Sequence, residues 1–200
     1  MTKISATWKK IFNELNILPE IEKYGFFKIS SKEINEYKES RLMTKFDHSY
    51  NLPKIFIKNK LSILPISRGE YIIGRFEAYF PIKYDNSIKP IKVELPEIVQ
   101  SIDINKIFSE TVCINAAYVS GVISRLLGEN SFPTLSGRMT TKSFEYYIND
   151  INMPNKAKIE VNNSQIEIDA CFESENYVVL IEAKNYSVDD FLIRQLYYPY

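Results

Sequence analysis

Cysteine and histidine are scarce in this chain: 200 residues hold two Cys and one His. With no Cys-x-x-Cys pair and no second histidine, most zinc ligand sets cannot be assembled. Cys113 and Cys171 both lie in apolar contexts and read as buried free thiols rather than as a disulfide. His48, in FDHSYN, reads as a polar-loop or cap histidine, with catalysis the sharper alternative. Long apolar runs are also missing; none approaches the roughly 18 residues of a membrane span. The opening MTKISATWKK is amphipathic and lacks the apolar block of a signal peptide. A soluble, cytoplasmic protein with no membrane association is expected. Excess charge of one sign is absent too, with 25 Lys and Arg against 25 Asp and Glu. That balance argues against gross affinity for nucleic acid.

What the chain does have is a core: 45% of its residues are hydrophobic and 14% aromatic, enough for one domain or two small ones. Its charge is unevenly spread. Residues 1–80 carry 14 Lys and Arg against 9 Asp and Glu, whereas residues 81–200 carry 11 against 16. A basic front and an acidic back suit a DNA-gripping part joined to a metal-holding part, although ordinary fluctuation produces asymmetries of this size.

Ile4, Trp8, Ile11, Phe12 and Leu15 recur at helical spacing and predict a helix over 2–17. Pro19 and Gly25 punctuate, and FFKI (26–29) reads as a short strand. Ser30 with Glu33 forms a capping box that opens a helix over 31–39. Residues 52–60 read as a helix with Pro53 in its first turn. LSILPIS and YIIGRFEAYF flank Arg68-Gly69-Glu70 and read as a hairpin. Helices followed by a basic hairpin give residues 1–80 a loosely winged-helix-like look. Residues 81–102, with Pro81, Pro90 and Pro96, read as a connector. A long helix is expected from Asp103, its cap, to Leu127, with Gly128 ending it. Residues 129–142 read as a polar loop, and 144–148 and 157–161 as strands.

The chemistry gathers near the end. Gln165, Glu167 and Asp169 share one face of a strand, and Ile166, Ile168 and Ala170 the other. After a polar turn, Tyr177 to Lys184 (YVVLIEAK) is apolar until Glu182, as expected of a central strand covered on both faces. Asp189 and Asp190 then open a helix. Asp169 and Glu182 thus reach one edge of a two-stranded unit, and Lys184 leaves the same strand face as Glu182. Two carboxylates with the Ala183 carbonyl offer the hard oxygen ligands that suit Mg²⁺. A lysine beside them can orient a water and offset charge on a phosphate. A structural salt bridge of Lys184 with Glu182 or Asp169 is the alternative. Glu36-Tyr37-Lys38 repeats the Glu-x-Lys spacing in a polar helical setting and reads as a solvated face. The later copy ends an apolar strand, where charge is costly without a task.

Asp169 followed by Glu182-Ala183-Lys184, on neighbouring strands after a long helix, resembles the PD-(D/E)xK nuclease superfamily, with Ile168 in place of the proline. The resemblance implies an α/β (α+β) restriction-endonuclease-like core, a mixed sheet flanked by helices, over residues 103–200. It implies Mg²⁺ as cofactor, with Mn²⁺ as substitute, held by Asp169, Glu182 and the Ala183 carbonyl, and Lys184 as catalytic lysine. Some members add a glutamate from the long helix; Glu110 is the candidate and Glu145 the reserve, each equally readable as an exposed glutamate. Gln195 with Tyr198 resembles the Gln-x-x-x-Tyr motif of recombination nucleases, one residue short. LPKIFIKNKLSILPISRGEYIIG and SGRMTTKSFEYYI look like segments of restriction–modification endonucleases. The superfamily core normally continues with at least one further strand, so a chain ending at Tyr200 implies a short variant or a truncated core.

Lys54, Lys58, Lys60, Arg68 and Arg75 in the front part, and Ser136, Arg138 and Lys142 before the motif, are candidate DNA contacts; individually each also reads as a solvated surface group. The expected function is type II restriction-endonuclease-like, Mg²⁺-dependent hydrolysis of double-stranded DNA, leaving 5′-phosphate and 3′-hydroxyl ends. A palindromic target would imply a homodimer. The alternatives are a repair or recombination nuclease, a non-catalytic or truncated sequence-specific DNA-binding protein, an enzyme of another class, and an interaction protein that docks a partner on its open sheet edge.

Overall fold

The computed structural model describes residues 2–152 and 154–200, and its architecture is mixed α+β. Thr2 caps α1 (Lys3–Glu14), its hydroxyl accepting from the Ser5 N–H at 3.2 Å. Asn16 turns the chain through a left-handed conformation into α2 (Ile17–Tyr24), a helix absent from the sequence reading. Pro19 sits in its first turn, where a missing N–H costs no intrahelical bond. After β1 (Phe26–Ser30), the expected capping box starts α3 (Ser31–Asn35): the Ser30 N–H donates to Glu33 Oε2 at 2.7 Å, and the Glu33 N–H donates to Ser30 Oγ at 3.2 Å. Next come α4 (Ser40–Thr44) and α5 (Lys54–Lys58), with Pro53 at the N-cap of α5. The expected hairpin is β2 (Ser62–Pro65) and β3 (Glu70–Gly74), followed by a short β4 (Tyr79–Pro81).

The long helix expected over 103–127 is two helices, α6 (Glu110–Val119) and α7 (Val122–Leu127). Ser109 is the N-cap, accepting from the Val112 N–H at 3.2 Å, and Gly121 at φ 75° breaks the run. The polar stretch expected to loop instead forms β5 (Phe132–Thr140). The hairpin strands β6 (Phe144–Asn149) and β7 (Lys156–Val161) precede β8 (Gln165–Glu173) and β9 (Val178–Ile181). Asp190 does not open a helix; it begins β10 (Asp190–Leu192), ahead of the single turn α8 (Arg194–Tyr197). Among the described residues no helix is long and apolar enough to cross a membrane.

Contacts divide the chain into two units interleaved in sequence: Met1–Pro81 with Thr140–Gln165 and Asp190–Arg194, and Ile82–Met139 with Ile166–Asp189 and Gln195–Tyr200. In the first, Trp8, Phe12 and Phe56 pack edge to face, with centroids 4.9–6.0 Å apart, among buried Ile11, Ile17, Ile21 and Ile34. The Trp8 indole N–H is satisfied by the Met43 carbonyl at 2.8 Å. This unit also holds the antiparallel sheet β1-β3-β2 and the pair β4–β10. His48 is buried, and its Nδ1 lies 2.6 Å from the Asp190 carbonyl, to which it donates; it ties β10 to the 47–50 segment and is a structural residue.

The second unit is built on the sheet β5-β8-β9. Its core is Ile114, Ile123, Ala170 and Phe172, flanked by Tyr118, Ile181 and Ala183. The alternation read for β8 holds: Ile166, Ile168 and Ala170 are buried, while Gln165 and Glu167 are exposed. β9 was expected at the sheet centre but lies at its edge, and Val178 there is 65% exposed. β8 takes the centre because the unforeseen β5 pairs on its other side. Cys171 is buried as expected, whereas Cys113, beside buried Ile114 on α6, is exposed; both are free thiols.

Candidate active site

The second unit brings together Asp169, Glu182, Ala183, Lys184 and Gln195. β8 and β9 pair antiparallel, with Ala170 opposite Ile181, so Asp169 and Glu182 lie one step beyond that last paired position. Asp169 Oδ2 accepts from the Ala183 N–H at 2.8 Å, fixing the carboxylate against the backbone of the Glu-Ala-Lys segment. The Glu182 carboxylate accepts from Lys184 Nζ and from Gln195 Nε2. The side chains of Lys184 and Glu182 are only 19% and 14% exposed. Two charges are therefore held close together and largely away from water.

Both ends of this arrangement are anchored. The Glu129 carboxylate accepts from the Asn176 N–H and side-chain amide at 3.0 and 2.7 Å, pinning the β8–β9 turn. Hydrogen bonds from Ser174 and Asn176 hold Glu129 below its ordinary carboxylate pKa. Downstream of the motif, the Tyr84 hydroxyl donates to the Val188 carbonyl at 2.8 Å, and the Ile82 N–H donates to the Asp189 carbonyl. Gln195, at the foot of α8, closes the site through Glu182. Its buried Oε1 has no hydrogen-bond partner. An orphaned buried acceptor is costly unless something else satisfies it.

The donor chemistry fits Mg²⁺. Asp169 and Glu182 could supply carboxylate oxygens and the Ala183 carbonyl a third, while Gln195, whose Nε2 donates to Glu182, has a buried Oε1 without a partner. Mg²⁺ is commonly held by one or two carboxylates with the substrate's phosphate completing its shell. Among the described residues no three His, Cys, Asp or Glu side chains gather as a metal-holding group, so Glu110 does not join Asp169 and Glu182. Glu110 occupies the first turn of α6. Thr111, Ile114 and Asn115 of α6 line a cleft of about 260 Å³ together with Pro133–Ser136 of β5 and Asp169–Phe172 of β8. The reserve, Glu145, lies on β6 in the first unit and accepts from Lys158 Nζ at 2.7 Å.

The basic candidates fare unequally. Lys54, Lys58, Lys60 and Arg68 are exposed in the first unit, on and after α5 and in the β2–β3 turn, and Lys142 is exposed after β5. Arg75 is committed to an ion pair with Glu22 and is 14% exposed, so it reads as structural. Arg138 lies 3.6 Å from Glu167, both 61% exposed. Thr111, Asn115 and Thr134 escaped the sequence reading. Their signal is the phase of α6 around Ile114 and the period-2 pattern Thr134, Ser136, Arg138, which the loop-like polar composition of 129–142 masks.

No curated protein and no solved structure matches this chain. Residues 5–73 match the family model described as Domain of unknown function (DUF6996). Residues 74–200, from the end of β3 onward, match Domain of unknown function (DUF6997). That second match covers more than half of the sequence, and the chain therefore belongs to the DUF6997 family.

Proposed function

We propose that this protein is a Mg²⁺-dependent endonuclease of the PD-(D/E)xK type, restriction-endonuclease-like, acting on phosphodiester bonds of double-stranded DNA. The observation that carries this reading is the meeting of Asp169, Glu182 and Lys184 at the ends of two paired strands, with an orphaned Gln195 oxygen beside them. When bound, the metal would neutralise charge developing on the phosphate. Asp169 and Glu182 would hold it, with the Ala183 carbonyl. Asp169 is oriented for this by the Ala183 N–H, and Glu182 by Gln195. Lys184, a cation in a partly desolvated place, would orient the attacking water and stabilise negative charge on the phosphoryl oxygens. The exposed Lys54, Lys58, Lys60, Arg68 and Lys142 would contact phosphates, contributing affinity but not sequence preference.

A second reading, a DNA-binding protein without cleavage, draws support from the lack of a third carboxylate beside Asp169 and Glu182 among the described residues. Plasmid cleavage with Mg²⁺, Mn²⁺ or chelator separates the two, with wild type beside Lys184→Ala. Metal-dependent bands that vanish in the variant are expected. Binding at low salt without cleavage under either metal would select the second reading. Equal cleavage by Lys184→Ala would refute the assignment of Lys184.

A further inference from the structure

The cleft beside Asp169 is lined, apart from that carboxylate, by uncharged side chains. Its walls are Thr111, Ile114 and Asn115 of α6, the β5 segment Pro133–Ser136, and Asp169–Phe172 of β8. Four of these carry neutral hydrogen-bonding side chains: Thr111, Asn115, Thr134 and Ser136. Among the described residues no lysine or arginine lines the cleft, and its one acidic side chain is Asp169. On the nuclease reading above, Asp169 goes to the metal, which leaves the rest of the wall to meet an uncharged part of the substrate. Pro133, Leu135 and Ile114 add apolar surface. Neutral donors and acceptors against apolar walls suit an uncharged planar group with polar edges, which is a nucleobase. The volume, about 260 Å³, is of the order of one nucleotide and far below that of a base pair with its two backbones. A base can enter it only by leaving the helical stack.

Resting on the nuclease reading above, we infer that the α6–β5–β8 cleft receives one unpaired nucleobase next to the scissile phosphate, with Asn115 reading its edge. An Asn side chain presents one acceptor and two donors, the complement of an adenine edge and of other base edges in part. Asn115 is exposed on the second turn of α6, beside buried Ile114, so it is presented by a fixed helix rather than by a loop. Thr134 Oγ1 already donates to the Cys171 carbonyl, at 3.4 Å, so towards a ligand it acts as an acceptor. Extruding a base from intact duplex costs a few kcal/mol, and least where the base is already unpaired. The protein should therefore favour duplexes carrying an unpaired or mismatched nucleotide over fully matched ones, by tenfold or more on the scale of ~1.4 kcal/mol per decade.

The test is fluorescence anisotropy of the full chain, in Ca²⁺ at low salt, with a matched 30-mer duplex and the same duplex carrying a single-nucleotide bulge. Wild type is expected to bind the bulged duplex about tenfold more tightly. Asn115→Leu keeps a good helix former at an exposed position, and in it the preference should collapse toward parity. Ser136→Ala, a second variant on a different element, should reduce the preference as well. Equal affinity of wild type for both duplexes would overturn the inference while leaving the nuclease reading intact. So would a preference that persists in both variants. Absence of binding to either duplex would overturn the nuclease reading and this inference together.

Discussion

Replacing Asp169 by asparagine separates the part this side chain plays in the fold from the part it would play with a metal. In the structure the carboxylate accepts one hydrogen bond, from the Ala183 N–H at 2.8 Å. A hydrogen bond to a charged acceptor contributes about 1.5–3 kcal/mol, and one between neutral groups about 0.5–1.5. The asparagine carbonyl can still accept, so the metal-free variant should lose only about 1–1.5 kcal/mol, the difference between those ranges. The metal response should differ much more. An ion present at 100 times its dissociation constant stabilises the folded state by ~2.7 kcal/mol. For a chain of this size that is a rise in Tm of about 5–11 °C. Wild type should show such a rise on adding Mg²⁺ to chelator-treated protein, and Asp169→Asn little or none. The assay is thermal unfolding followed by circular dichroism, with and without Mg²⁺. The reasoning is refuted if both proteins respond equally to Mg²⁺, because the ion would then be held elsewhere.

Two further outcomes test the fold of the first unit. A Cβ at Gly74 would overlap the ring of buried Phe76, so Gly74→Ala should destabilise by about 1–3 kcal/mol in urea unfolding, as other overpacked cores do. Tyr79 is held above its ordinary pKa of 10.0, first by burial and then by the nearby charges of Asp190 and Asp47. A raised folded pKa gives stability that is intact below pH ~10 and lost above it, at up to ~1.4 kcal/mol per pH unit. Tyr79→Phe should flatten that alkaline decline, at the cost of the hydrogen bond to the Phe46 carbonyl; an unchanged alkaline limb in the variant would refute the assignment to Tyr79.

The elements that were legible in the sequence are those whose signals are local. The capping box at Ser30 and Glu33, the α1 stripe of Trp8, Ile11 and Phe12, and the β2–β3 hairpin each depend on residues within a few positions of one another. The alternation of β8 was legible for the same reason, and it placed Asp169. What stayed hidden depended on partners far away in sequence. β5 carries Pro133 and Gly137, poor strand formers, within a largely polar stretch, and exists as a strand because β8 pairs with it. Asp189-Asp190 looks like a helix start, yet 190–192 is drawn into a strand by β4, more than a hundred residues upstream. The α6–α7 break was visible in principle, since Ser120-Gly121 sits mid-pattern, but the apolar spacing runs on across it. Moving the helix start from Asp103 to Ser109 matters for the site. It sets Glu110 in the first turn and Thr111 and Asn115 on the wall of the cleft that Asp169 also lines.

The Glu182–Lys184 pair is where the structural and functional readings diverge, because each assigns it a different energetic sign. A pair this sheltered loses much of its hydration, and the mutual attraction often fails to repay that loss; replacing such a pair by apolar groups of similar size is commonly neutral, or stabilising by about 1–4 kcal/mol. A site kept for chemistry is expected to carry that cost. Glu182→Leu with Lys184→Met should therefore leave the protein at least as stable as wild type in urea unfolding, while eliminating metal-dependent cleavage. Lys184→Met alone should be the less stable variant, because Glu182 keeps Gln195 but loses its countercharge. If instead the double variant is destabilised by as much as the single one, the pair is holding β9 to α8 as a structural bridge. The strand-end charges would then need no catalytic explanation.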